Sequence, residues 1–161
     1  MNLTIRPTPP DHPRVIALIE QLDAYLYSVY PPDEVYALDV ESLKHPTVTF
    51  LGVWDGEDAV GCGAVRVMDG DAGTGGARYG EIKRMFVSPA RRGQGIARRV
   101  LAALEDHLRG QGIDRALLET GDPQVEAVRL YERTGYLRRG PFGDYPDNGS
   151  SVFMEKRWTT A

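Results

Sequence analysis

Hydrophobic positions along the chain switch repeatedly between a period of two and a period near 3.6. Leu3 and Ile5 alternate with polar neighbours as in a short strand. Pro7, Pro9, Pro10 and Pro13 then break the chain, and Val15, Leu18, Ile19, Leu22 and Leu26 line one face of a helix. Tyr30-Pro31-Pro32-Asp33-Glu34 interrupts that helix. Residues 35–44 are expected to form a second short one, stopped at His45-Pro46. Residues 47–54 and 59–67 read as an antiparallel strand pair joined by the turn signal Asp55-Gly-Glu-Asp58. After a glycine-rich loop, residues 69–76, a strand is expected over 78–87, ended by Pro89.

Val100, Leu101, Leu104 and Leu108 give the next helix its apolar stripe, and Gly110 and Gly112 stop it. A strand over 113–119 follows. Asp122-Pro123 then carries the signature of a helix start, an Asp cap with Pro in the first turn, for a helix over 124–133. Residues 136–139 and 151–157 complete the pattern as strands around a polar loop, 140–149. The order β-α-(α)-β-β-β-α-β-α-β-β predicts an α/β fold, a single mixed and mostly antiparallel sheet flanked by helices, with residues 1–161 forming one domain.

Composition narrows the class. The chain has 161 residues, 42% hydrophobic and 26% charged, and no apolar run approaches the ~20 residues of a membrane span. Its first residues, Met1-Asn-Leu-Thr-Ile-Arg-Pro7, lack a signal-peptide pattern, so a cytoplasmic location is expected. Cys62 is the single cysteine, and His12, His45 and His107 show no metal-ligand spacing, so no metal site is expected.

Charge is uneven. Lys83, Arg84, Arg91, Arg92, Arg98 and Arg99 place six positive charges in residues 83–99, which hold no Asp or Glu; with a net charge of −4, the rest of the chain sums to −10. A basic window of that size within an acidic chain points to one bound anion and argues against nucleic acid and membrane partners. Within it, Gly93 and Gly95 precede the third predicted helix. Flexible residues at a helix N-terminus let backbone amides approach an anion closely.

Spacing separates the possible cradles. A P-loop would need Gly-x-x-x-x-Gly-Lys-Ser/Thr, which is absent. A dinucleotide fingerprint begins at Gly93-x-Gly95, but its third glycine position holds Arg98, too large for close helix–strand packing. Glu119, near the distance at which a ribose-binding acid is expected, keeps that reading open.

Arg92-Gly-Gln-Gly95-Ile-Ala97 matches Arg/Gln-x-x-Gly-x-Gly/Ala, and here the chain resembles the GNAT superfamily of acyl-CoA N-acyltransferases. Residues 80–89 are similar to the strand that precedes the cradle in that family. Ala127-Val-Arg-Leu-Tyr-Glu-Arg-Thr-Gly-Tyr136 is similar to its second signature, Ala-x-x-Leu-Tyr-Glu-x-x-Gly-Phe. Tyr30-Pro-Pro, Leu38-Asp39 and Gly140-Pro-Phe-Gly-Asp-Tyr145 resemble segments of small bacterial members. One departure is the Glu119-Thr-Gly-Asp122 stretch, where the family often carries an Asn.

The resemblance implies the GNAT fold, acetyl-CoA as cosubstrate without a metal, and a set of roles. Backbone amides of Arg92, Gly93, Gln94, Gly95, Ile96 and Ala97 would hold the pyrophosphate, with Arg92 and Arg98 adding charge. Backbone groups of Met85, Phe86 and Val87 would pair with the pantetheine arm. Glu81 matches the family's base. It would act through water, because it lies four residues, about 13 Å of strand, before Met85. By period two, Glu81, Lys83, Met85 and Val87 share a face. The alternative for Glu81 is a solvated carboxylate paired with Lys83 or Arg84, and Lys83 and Arg99 read as surface charges or 3′-phosphate partners. Tyr131 matches the acid that protonates the departing thiolate; its alternative is a core tyrosine.

Cys62, between Gly61 and Gly63, reads as a small buried hydrophobe, which favours direct transfer in a ternary complex. Tyr30, Glu34, Asp39 and Glu119 are candidates for binding the acceptor, expected to be a primary amine of a small molecule such as an amino acid or polyamine. Two alternatives stay open, a non-catalytic CoA-binding module and transfer to protein or peptide amines. A homodimer is also compatible.

Overall fold

The computed structural model describes residues 2–160. Its elements are β1 (Leu3–Pro7), α1 (Pro13–Val29), α2 (Val40–Leu43), β2 (Val48–Asp55), β3 (Asp58–Met68), β4 (Tyr79–Val87), α3 (Ile96–Gly110), β5 (Arg115–Gly121), α4 (Val125–Arg133), β6 (Leu137–Arg139) and β7 (Ser151–Arg157). The strands form one mixed seven-stranded sheet in the order β1-β2-β3-β4-β5-β7-β6. β1 with β2, β5 with β7 and β6 with β7 are antiparallel, whereas β4 and β5 are parallel. Among the described residues no helix is long and apolar enough to cross a membrane.

Two compact units share this connectivity. The first comprises the chain up to Val65 together with Lys83–Leu104. Its α1 begins at Pro13, where His12 Nδ1 accepts the Arg14 N–H. Val15, Leu18, Ile19 and Leu22 are buried from this helix against Phe50, Trp54, Cys62, Ala64 and Phe86. The helix stops because Tyr30 precedes Pro31 and takes an extended backbone, φ −127° and ψ 147°. Of the second helix expected over 35–44, only Val40–Leu43 is α-helical, preceded by a 3-10 turn at Pro32–Glu34. The intervening backbone is instead held by long-range bonds, described below.

The second unit comprises Arg66–Ile82 and the chain from Glu105 onward. β5 and β7 pair along seven residues, from Arg115↔Arg157 to Gly121↔Ser151. Asp122 is not the cap of α4, contrary to the sequence pattern. Gln124 N–H bonds to Gly121 O at 2.9 Å and closes a turn around Asp122-Pro123, so α4 starts at Val125 with Gln124 in the cap position. Tyr79, Leu117, Phe142 and Phe153 form an aromatic-rich core cluster here, with Met68 and Tyr145 packed against it.

Glu105 is a buried carboxylate on α3. It accepts from the Tyr136 hydroxyl at 2.9 Å and from Lys156 Nζ at 2.8 Å. Removing one member of such a group strands the others in a low-dielectric setting. Glu105→Ala is therefore expected to lower the unfolding free energy by about 3 kcal/mol, measured by urea titration.

Candidate active site

The basic glycine turn lies in the first unit. Its backbone has φ of +81° at Gly93 and +75° at Gly95, a region that favours glycine. The Arg99 N–H returns to Gly95 O at 3.2 Å, closing the first bond of α3. Among the described residues, the amides of 93–98 donate to no protein acceptor. Six neighbouring N–H groups at the positive end of a fifteen-residue helix make a site suited to an oxyanion. Space is available as well: a Cβ at Gly93 or Gly95 would meet no atom within 4 Å.

Arginines frame the turn unequally. Arg91 forms an ion pair with Asp55, which ties the turn to the β2–β3 hairpin. Arg92 folds back, its Nε donating to Val87 O at 3.1 Å and its guanidinium 5.6 Å from the centre of the Phe86 ring. Arg98 and Arg99 are exposed at the start of α3. Close packing of that helix depends on the glycine pair around Cys62. A Cβ at Gly63 would lie 2.6 Å from Met85 Sδ and 2.7 Å from Val100 Cγ1.

β4 departs from simple alternation. Arg84 has φ +58°, left-handed for a residue with a side chain, at a cost of order 1–3 kcal/mol. Its side chain offsets that cost by pairing with Asp23 on α1 and donating from Nε to Leu38 O at 2.8 Å. Lys83 Nζ donates to Tyr36 O at 2.8 Å, so it is not the surface charge that the sequence suggested. Two consecutive basic residues of β4 thereby hold the backbone between Pro32 and Asp39. Lys83, Met85 and Val87 are half-buried in alternation with buried Arg84 and Phe86, whereas Glu81, expected on the same face, is buried. Met85 lies over Gly63, Lys83 reaches Tyr36, and Glu81 meets a different set of partners.

That linker carries three of the acceptor candidates. Tyr30 caps α1 with its backbone, Glu34 ends the 3-10 turn, and Asp39 caps α2, its Oδ1 accepting the Ser42 N–H at 2.7 Å. The capping bonds hold the Asp39 carboxyl below its usual range. Glu119, on β5 in the second unit, accepts from Ser151 Oγ at 2.8 Å.

Glu81 is 1% exposed. It is thus not a solvated carboxylate. Oε1 accepts from Arg66 Nη2 at 3.0 Å and Oε2 accepts from the Tyr145 hydroxyl. Burial, followed by the neighbouring Glu81 charge, holds the Tyr145 phenol far above its ordinary range. No sequence pattern announced the pairing of Arg66 or Tyr145 with Glu81, because 15 and 64 residues separate them from it.

Tyr131 is buried on α4, its ring edge-on to Tyr136 with centroids 5.7 Å apart. Among the described residues its hydroxyl has no hydrogen-bond partner. Burial raises its phenol well above 10, so it keeps its proton throughout the working pH range. Cys62 is 1% exposed, its thiol donates to Arg84 O at 3.3 Å, and burial pushes it up to about 12. Such a thiol is not a nucleophile at neutral pH.

The model of the acetyltransferase (GNAT) family matches residues 15–136. The chain belongs to the GNAT family. It is 43% identical to the IAA acetyltransferase of Azospirillum brasilense, over 96% of this chain and 97% of that one. Identity to the uncharacterized N-acetyltransferase YsnE of Bacillus subtilis is 34%, over 89% and 92%. A crystal structure from Klebsiella pneumoniae, assigned as an acyl-CoA N-acyltransferase, superposes with a TM-score of 0.77 at 35% identity, covering 96% and 97%. The PaiA N-acetyltransferase of Thermoplasma acidophilum, solved with coenzyme A, shares the fold with a TM-score of 0.72 at 17% identity, covering 98% and 100%. This GNAT protein is an acetyl-CoA-dependent N-acetyltransferase.

Proposed function

We propose that residues 1–161 form one acetyltransferase domain that moves the acetyl group of acetyl-CoA to a primary amine of a small molecule, by direct transfer in a ternary complex. The observation that carries the donor half is the run of unpartnered amides at 93–98 beside Arg92 and Arg98. A pyrophosphate would take those amides, and the two arginines would add charge-assisted bonds. Backbone groups of Met85, Phe86 and Val87 would hold the extended pantetheine arm.

For the chemistry, Glu81 serves as the base that frees the amine lone pair, and Tyr131 donates the proton that the leaving thiolate takes up. An amine of ordinary basicity, near ~10.4, is protonated at neutral pH and needs such help. The buried, high-pKa Cys62 supports direct transfer over an acyl-enzyme. Tyr30, Glu34, Asp39 and Glu119 supply the acids and the phenol on the acceptor side, a set suited to a cationic amine.

Release of the CoA thiol, followed colorimetrically across amino acids, polyamines, peptides and IAA, tests this reading. IAA enters the panel because the 43% identical relative is named for it. Saturable release with small amines is the expected result. Release confined to peptides would move the acceptor class to protein. CoA binding without release on any acceptor would make the domain a binding module.

A further inference from the structure

We propose that Tyr145 is the group that meets the acceptor amine, and that Glu81 takes the amine's proton through the Tyr145 hydroxyl. The inference rests on the assignment of Glu81 as the base and adds the route by which it acts. Glu81 is sealed: it is 1% exposed, with Arg66 on one carboxylate oxygen and Tyr145 on the other. A substrate therefore cannot touch it. Tyr145 is half-buried on its loop, so it is the more exposed member of the same hydrogen-bonded pair.

The loop that bears Tyr145 is pinned. Its ring lies edge-on to Phe142 at 5.3 Å and tilted against Phe153 at 5.7 Å. Gly143 N–H bonds to Asp71 Oδ2 at 2.9 Å, and Arg139 donates to Gly73 O. Asp71 is itself held in a capping box with Thr74. A phenol fixed this way presents its oxygen without a search over rotamers. Arg66 gives Glu81 one donor while its own Nε is buried with no partner among the described residues. A buried donor left unmatched is an exception that packing alone does not favour.

The step balances. An N–H bond of the ammonium breaks as its proton passes to the Tyr145 oxygen, and the Tyr145 O–H proton passes to Glu81 Oε2. The products are a neutral amine, an unchanged phenol and a neutral Glu81 carboxyl. Glu81 returns its proton by the same hydroxyl to water after the acetylated product leaves. Because burial keeps the phenol protonated, Tyr145 relays a proton and does not act as a phenolate base. The charged and titratable groups that act on the pair are Arg66 from β3, Glu119 from β5 and Tyr79 on β4, with Asp71 and Asp144 acting on Tyr79 from the two loops.

The test is kcat/KM for the acceptor as a function of pH in the full chain and in Tyr145→Phe and Glu81→Gln. Both variants are expected to lose about 100-fold at pH 7. The loss should shrink to within about 3-fold as the pH approaches the acceptor's own pKa, ~10.4 for an alkyl amine, where the amine arrives already deprotonated. A strongly downfield hydroxyl proton in the NMR spectrum should be present in the parent and absent from both variants. Loss by the same factor at every pH would mean a structural pin and overturn the relay, as would parental activity in Tyr145→Phe or persistence of the downfield proton in it. Phe keeps the ring packing, so Tyr145→Phe decides the matter alone should Glu81→Gln fail to fold. A parent that acetylates no amine would overturn both the relay and the proposed function. One active on peptides alone would overturn only the small-molecule reading, with the relay then decided by the same profile on the peptide.

Discussion

Gly95→Val is expected to raise the dissociation constant for CoA at least about 100-fold while lowering the midpoint of thermal unfolding by only about 2–8 °C. The φ of +75° at Gly95 costs an ordinary residue about 1–2 kcal/mol, and a β-branched residue is a still poorer fit. That strain is the stability term, since a Cβ there meets no atom within 4 Å and creates no clash. The binding term is larger. The turn can relieve its strain only by re-aiming the amides of 93–98, and hydrogen bonds to a charged group contribute about 1.5–3 kcal/mol each. Forfeiting two of them reaches 100-fold, about 2.8 kcal/mol, before the isopropyl group occupies the open space beside the turn. Calorimetric titration with CoA, beside a thermal melt, separates the two terms. CoA affinity unchanged in a folded Gly95→Val protein would remove the turn from the donor site.

Local chemistry of this kind is what a sequence displays most openly. The cradle is a run of adjacent residues, so its glycines, its charge and the helix it opens can be read together. The apolar stripes of α1 and α3 are equally local, and β7 spans the residues that its alternation marks. Asp122-Pro123 misleads because a closing bond from Gln124 to Gly121 competes with the capping pattern. Glu81 misleads more seriously. Beside its reading as a base, its basic neighbours left a solvated strand carboxylate as the alternative, yet Arg66 and Tyr145 bury it from distant parts of the chain. Arg84 follows the same logic. Its left-handed backbone is sustained by Asp23 and Leu38, far away in sequence, and no local propensity favours arginine there. The proposed donor half of the site is thus local and legible, whereas the groups around the proposed base depend on long-range pairing.

Tyr131→Phe is expected to lower kcat about 100-fold, with the acetyl-CoA dissociation constant within about 2-fold and the unfolding free energy within about 0.5 kcal/mol of the parent. The three outcomes follow from one feature. The Tyr131 hydroxyl has no partner among the described residues, so its removal leaves no protein donor or acceptor unmatched. The ring stays edge-on to Tyr136, whose own hydroxyl remains on Glu105, so the packing that fixes its place is kept. Only the proton is lost. Burial holds that proton on the phenol well past neutrality, so the acid is fully loaded wherever the enzyme works. The ratio of parental to variant kcat should therefore be flat from about pH 6 to about pH 9, unlike the loss in Tyr145→Phe, which fades as the acceptor deprotonates unaided. Such a contrast would assign the two tyrosines to opposite ends of the proposed transfer, one loading the nucleophile and the other releasing the leaving group. A Tyr131→Phe enzyme with parental kcat would take the phenol out of the mechanism and leave solvent as the source of the thiol proton.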